Sequence, residues 1–189
     1  MARVSVDVCD FKFNAAHFVC FAGFRERLHG HNYRVGVKLA GPAGSVRRNG
    51  DGYLLDFGDV KACVRRLCKE TLNERFLLPA AVDPAVMSVT DDGPSCCLKC
   101  HHDGAVFVIP KHDCAVLPIT HSTVEALGEY VWGVVVNDLG REVLRARGID
   151  FVEIRVSEET GQLATWGRSL LDGEDDEGAA PPTPPKPCL

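Results

Sequence analysis

The sequence predicts an α+β fold, an antiparallel sheet with helices on one face. Three observations predict it. Both ends of the folded region alternate apolar and polar residues with the period of a half-buried strand, in VSVDVCDFKFNAAH and in FVEIRVSEETG. Between them, YLLDFGDVKACVRRLCKETL and THSTVEALGEYVWGVVVNDLGREVLRARG change to helical spacing. The order is strand, strand, helix, hairpin, helix, strand, which suits an antiparallel sheet better than repeated βαβ units.

The first strand places Val4, Val6 and Val8 on one parity and Phe11 and Phe13 on the other, and ends at His17. NYRVGVKLAG repeats the alternation with Tyr33, Val35, Val37 and Leu39, and 42–52, rich in Gly, Arg and Asn, reads as a turn. Asp56 or Gly58 can start the first helix, whose Val60, Val64, Leu67 and Leu72 share a face. After Pro79 the pattern fades, and about 80–103 reads as a long loop or insertion. GAVFVIP and CAVLPI read as a short hairpin around PKHD. Ser122 or Thr123 can cap the second helix, with Leu127, Tyr130, Val131 and Val134 on its inner face. One domain is expected over 1–170, followed by an acidic, Pro-rich tail at 171–189 that lacks the apolar residues to fold.

The chain has 189 residues, 46% hydrophobic and 25% charged, enough for one packed core. A net charge of −5 gives no general attraction to phosphate backbones, so nucleic acid is not the expected partner. A local basic cluster, Arg25, Arg27 and Arg34, is suited to a small anionic ligand. The nine cysteines are scattered and odd in number, and no apolar leader opens the chain. Free thiols in a reducing compartment, the cytoplasm, are therefore expected. No apolar run approaches the ~20 residues needed to span a bilayer.

The stretch FRERLHGHNYRV carries the chemistry. On a strand, residues i and i+2 point to one side, so His29 and His31 project together across Gly30. His17 ends the neighbouring strand, where a third imidazole can converge. Three neutral imidazoles with an open position form a common catalytic zinc site. The spacing is equally that of two polar residues on an ordinary strand. CCLKCHH, from Cys96 to His102, also holds potential ligands, but they are crowded into seven residues, and a Cys-rich loop is the simpler reading.

FNAAHF, RLHGHNYRVGV, DGYLLDFGDVK, LPITHSTVEALGEYVW and EIRVSEETG, in this order, resemble the 6-pyruvoyl-tetrahydropterin synthase family over about 4–166. The resemblance implies a tunnelling fold (T-fold), a four-stranded antiparallel sheet with two helices on one face. It also implies trimers paired into a homo-hexamer. It implies that His17, His29 and His31 bind Zn2+, and that the substrate is a small pterin, 7,8-dihydroneopterin triphosphate, with its side-chain hydroxyls on the metal. It assigns the pterin ring to Thr123 and Glu125 of the Thr-x-Glu motif and to Glu158, since a carboxylate can accept two parallel hydrogen bonds from the ring. Without the family, Glu125 reads as a helix first-turn acid and Glu158 as an exposed strand-end charge.

Two departures from the family pattern bear on the reaction. The family's cysteine base, commonly four residues before HGH, is Arg25 here, and a guanidinium cannot take up a proton near neutral pH. Glu26 can. This arrangement, with HFVCFAGFRERLHGHNY and VIPKHDCAVLPITHSTVE, resembles the protozoan-parasite variant with a catalytic glutamate. That variant cleaves the side chain to 6-hydroxymethyl-7,8-dihydropterin, a folate precursor. The alternatives are a 6-pyruvoyl-tetrahydropterin synthase on a biopterin route, for which Cys20 is the nearest base, and a pterin-binding homologue without catalysis. The second departure is LNERFLLP, which puts Asn73 and Glu74 where the family keeps an Asp-His proton relay; His112 and His121 are candidate substitutes. Arg25 and Arg27 read either as contacts to the triphosphate or as solvated loop charges.

Overall fold

The computed structural model describes residues 3–159 and 161–171; the expected tail lies, apart from Leu171, outside the described residues. The chain opens with β1 (Arg3–His17), a ribbon of β2 (Cys20–Phe21) and β3 (Phe24–Arg25), and β4 (His29–Pro42). β1 and β4 pair antiparallel along nearly their whole length.

The change of parity in β1 has a structural cause. Val8 pairs with Val37 and Phe11 with Val35, so Cys9 and Asp10 stand opposite Gly36 alone, a β-bulge. Because side chains alternate faces, one extra residue moves everything beyond it to the other side. Val8 therefore shares the buried face with Phe11, Phe13, Ala15 and His17. The bulge brings His17 to the face of its partner residue His29 and of His31, the partner of Ala15.

The 42–52 segment is not only a turn: it contains α1 (Gly44–Arg48). α2 (Phe57–Arg66) starts at Asp56, whose side chain accepts from the Gly58 amide, and runs on into a π-helical stretch, Leu67–Leu72. Val60, Val64, Leu67 and Leu72 are all buried. β5 (Arg75–Pro79) then joins β1 in parallel.

The 80–103 stretch is not a structureless loop. It holds β6 (Met87–Asp92) and β7 (Ser95–Cys100), which form a three-stranded sheet with β8 (Val106–Pro110). The expected hairpin around PKHD does not form. A 3-10 turn at Lys111–Asp113 separates β8 from β9 (Cys114–Leu117), and β9 pairs in parallel with β5 in the main sheet. Alternation alone does not say which neighbour a strand chooses.

α3 (Val124–Leu139) is capped by Thr123, which accepts from the Ala126 amide. The long helical stretch breaks at Gly140, where φ is +79°, and α4 (Arg141–Ala146) follows. β10 (Phe151–Glu159) and β11 (Gln162–Ser169) close the fold as an antiparallel hairpin, although only the first of the two is marked by the sequence reading.

The main sheet therefore has six strands, in the order β11-β10-β4-β1-β5-β9, rather than four. Its four long strands are antiparallel as expected; β5 and β9 are short parallel additions. The main core lies between this sheet and α2, α3 and the π-helical stretch. Leu127, Val135, Leu39 and Val37 are fully buried there, each contributing about 1.5–3 kcal/mol relative to exposure. A second core packs the small sheet against Phe18, Cys20, Phe76, Leu78 and Cys114. Among the described residues no helix is long and apolar enough to cross a membrane.

Candidate metal centre and active site

His17, His29 and His31 converge at one end of the main sheet, with one ring nitrogen of each within 4.8 Å of the others. Among the described residues this is the group of His, Cys, Asp and Glu side chains that could hold a metal ion. Two of the rings have their tautomer fixed by the backbone. His17 Nδ1 lies 2.8 Å from the Ser122 carbonyl oxygen and His29 Nδ1 lies 2.7 Å from that of Arg27. A carbonyl only accepts, so both Nδ1 atoms carry the proton and both Nε2 atoms present a lone pair.

His17 is 2% exposed, and burial pushes it below the ordinary imidazole range, which favours the neutral form that ligates metals. Its buried Nε2 and the Nδ1 of His31 have no hydrogen-bond partner. Buried polar atoms of this kind call for an explanation. Three imidazoles that each bring a ring nitrogen to one place, two of them oriented by carbonyls and two with a buried nitrogen left unpaired, fit a metal ion with three protein ligands and an open position.

The surroundings come from distant parts of the chain. Tyr33 is fully buried, stacks on Phe13 with ring centroids 4.7 Å apart, and points its hydroxyl at Glu158 Oε1, 3.4 Å away. Burial and the Glu158 carboxylate push the Tyr33 phenol far above its ordinary value, so it stays protonated and donates. Glu158 lies beside the triad, 3.6 Å from His17 Nε2 and 4.0 Å from His31 Nε2. It is therefore not an exposed strand-end charge. Ser122 is not the helix cap. It is fully buried, holds His17 through its carbonyl, and donates through Oγ to the Phe18 carbonyl at 2.9 Å. This brings the start of α3 against the triad. Thr123 follows directly, while Glu125 stands exposed in the first turn.

Glu26 follows the β2–β3 ribbon and is half-buried. Its amide donates to the Val19 carbonyl at 2.9 Å, and its Oε2 accepts from the Val19 amide at 2.9 Å. After burial and Glu158, its carboxylate adds to what raises the Tyr33 phenol. Arg25 is turned to Asp103 and is not a solvated charge; Arg27 is exposed and lends its carbonyl to His29. Cys20 is buried, and its thiol meets that of Cys100. Asn73 is occupied structurally: its Oδ1 accepts from the Asn14 amide at 3.0 Å. Glu74 adopts φ +58° and with Arg75, Asn14, Leu28, Asn32 and His31 lines an open cleft of about 640 Å3.

His112 is exposed beside Asp113, and His121 is bonded to Thr120 Oγ1 at 3.1 Å. The CCLKCHH segment does not gather into a metal site among the described residues. Cys96 and Cys100 point with Leu98 into the second core, where burial pushes the Cys100 thiol up to about 12. Sequence reasoning reads Ser122 as a possible helix cap and Tyr33 as a strand core position, and marks neither of them nor Asp103 as a site residue. Of these only Tyr33 carries a local signal, its i+2 spacing from His31.

The chain matches the family model described as 6-pyruvoyl tetrahydropterin synthase over residues 8–169. It is 35% identical to the 6-pyruvoyl tetrahydropterin synthase of Plasmodium falciparum, with 89% of this chain and 99% of that one covered and a TM-score of 0.81. The Plasmodium vivax synthase is similar to the same degree, again 35% identical with coverage of 89% and 99% and a TM-score of 0.81. Solved structures of the latter include variants in which a catalytic glutamate is replaced by alanine or by cysteine. A Methanocaldococcus jannaschii protein named "Putative 6-carboxy-5,6,7,8-tetrahydropterin synthase" is 29% identical over 160 residues, 84% of this chain and 91% of that one. Together with the converging histidines on this sheet, these likenesses show that the chain belongs to the 6-pyruvoyl tetrahydropterin synthase family.

Proposed function

We propose that this protein is a zinc-dependent pterin lyase that cleaves the side chain of 7,8-dihydroneopterin triphosphate to give 6-hydroxymethyl-7,8-dihydropterin for folate synthesis. The observation that carries the reading is Glu26. It is a carboxylate held to Val19 by two hydrogen bonds, three residues before the paired histidines, in FRERLHGHNYRV, a stretch without cysteine. The glutamate named as the catalytic residue of the Plasmodium vivax relative supports the same assignment.

His17, His29 and His31 would hold the zinc, which supplies Lewis acidity toward the substrate's side-chain hydroxyls when bound. Glu26 takes the proton of the second-carbon hydroxyl as general base. The hydroxyl carbon becomes a carbonyl, the bond between the first and second side-chain carbons breaks, and its electron pair passes into the unsaturated pterin ring. Protonation at the first carbon then gives the hydroxymethyl product, and the triphosphate leaves on a two-carbon aldehyde. Thr123, Glu125 and Glu158 bind the ring, with Tyr33 orienting Glu158. The active protein is a homo-hexamer of paired trimers in the cytoplasm. Its free thiols among the described residues are compatible with that compartment.

The synthase alternative needs a cysteine base. Its nearest candidate, Cys20, is buried against Cys100, and Asn73 cannot relay a proton, so cleavage is the better supported reaction. The test is to supply dihydroneopterin triphosphate to the purified protein and identify the pterin product by chromatography. The hydroxymethyl product is expected, with loss of turnover on chelation and a fall of at least about 100-fold in Glu26→Gln while zinc stays bound. A pyruvoyl product, or a Glu26→Gln variant with full turnover, would sink the reading.

A further inference from the structure

Arg25 occupies the position where the family keeps its cysteine base, and it cannot act as a base itself. Its side chain is nevertheless fully committed. Nε and Nη2 donate to Asp103 Oδ2 at 2.7 and 2.5 Å, and Nη1 donates to the Glu26 carbonyl at 2.7 Å. The guanidinium lies 5.9 Å from the Phe18 ring and 5.5 Å from the Phe107 ring, within cation–π range of both. Asp103 is fixed in turn: its Oδ1 accepts from the Ala105 amide at 3.0 Å, in the turn between β7 and β8.

The segment before Glu26 needs such support. β2 and β3 have two residues each, and so short a ribbon is not stable alone. Its Phe21 and Phe24 stack on each other but remain 46% and 42% exposed, so apolar burial does not anchor its tip. We propose that Arg25 and Asp103 form a clamp through which the small β6–β8 sheet positions Glu26 for proton transfer. Arg25 is then a positioning residue, and the 80–103 insertion is part of the catalytic apparatus. Lysine cannot reproduce the paired bonds to Asp103, the bond to the Glu26 carbonyl and the contacts to both rings together. The inference rests on Glu26 being the base.

The test combines Asp103→Asn, Arg25→Lys, Glu26→Gln and the double variant Asp103→Asn/Glu26→Gln, assayed for cleavage, with amide hydrogen exchange as a readout independent of turnover. In Asp103→Asn and Arg25→Lys, kcat is expected to fall about 10- to 100-fold with KM nearly unchanged, the scale of a misplaced catalytic group. The Glu26 and Val19 amides should exchange about tenfold faster while the melting curve stays cooperative, as expected when a local constraint is released. In the Glu26→Gln background, Asp103→Asn should cause no further loss of single-turnover rate. An Asp103→Asn variant with unchanged kcat and exchange, beside an inactive Glu26→Gln, would overturn the clamp alone. An equal fractional loss in both backgrounds would show a general structural role and overturn it too. Full activity in Glu26→Gln removes the base and the clamp together.

Discussion

The triad is built from three residues and two backbone carbonyls, and the carbonyls decide what the residues can do. Had Nδ1 of His17 or His29 been left unheld, each ring could turn either nitrogen to the centre. Ser122 serves two of these contacts at once, holding the His17 ring with its carbonyl and the Phe18 carbonyl with its hydroxyl. The two roles can be separated. Ser122→Ala keeps the backbone carbonyl but leaves the Phe18 carbonyl unsatisfied in the interior. The metal-free protein should lose about 1–3 kcal/mol in urea unfolding. Zinc affinity, measured by competition with a chelator, should fall by less than about tenfold, below the usual range for lost outer partners. An unchanged urea midpoint would contradict this account. At this scale His29 and His31 are legible in the sequence as candidate ligands because i+2 spacing on a strand is a local property, whereas His17 joins them only through the register of β1 with β4. Ser122 is not legible, because its bond to His17 joins residues 105 positions apart. Glu158 reads alone as a strand-end charge and becomes a site residue only when β10 is laid beside β4.

At the scale of elements, alternation and helical spacing reveal β1, β4, α2, α3 and β10. They do not reveal partner choice, so β8 and β9 read as a hairpin although they enter different sheets. The change of parity after Val8 is visible in the sequence, but its meaning as a bulge requires the register with β4. Close approaches are invisible in the same way. A Cβ on Gly41, near the end of β4, would stand 2.0 Å from the Gly148 carbonyl oxygen, where α4 turns into β10. That neighbour is backbone and cannot swing aside. Gly148 itself sits at φ +79° with Ser45 packed against it, so the crossing is filled from both sides. Gly41→Ala should therefore destabilise by about 3 kcal/mol, toward the upper end for an overpacked site. The urea midpoint of the purified variant measures this, and a loss below about 0.5 kcal/mol would mean that the crossing yields more easily than the packing implies.

At the scale of the molecule, the main sheet is open, with β11 at one edge and β9 at the other. Each edge strand carries an exposed apolar residue, Leu163 at 59% and Val116 at 39%. Open edges of this kind invite pairing, and natural monomers usually blunt or cover them. Head-to-tail pairing of one edge with the other, repeated by rotation, closes a ring and leaves no edge exposed. The proposed trimers would be such rings, and two of them face to face would make the proposed hexamer. Leu163→Lys puts a charge on the edge strand without touching the core, the device by which natural sheets resist edge pairing. The variant should elute as a smaller species in size exclusion with light scattering, while its circular dichroism remains that of a folded α+β protein. Val143→Lys, a comparable change at a 54% exposed site on α4 away from both edges, should leave the assembly intact. If Leu163→Lys keeps the full assembly, β11 is not part of the contact and the ring must close through another surface. If both variants dissociate, the effect is one of net charge rather than of the edge.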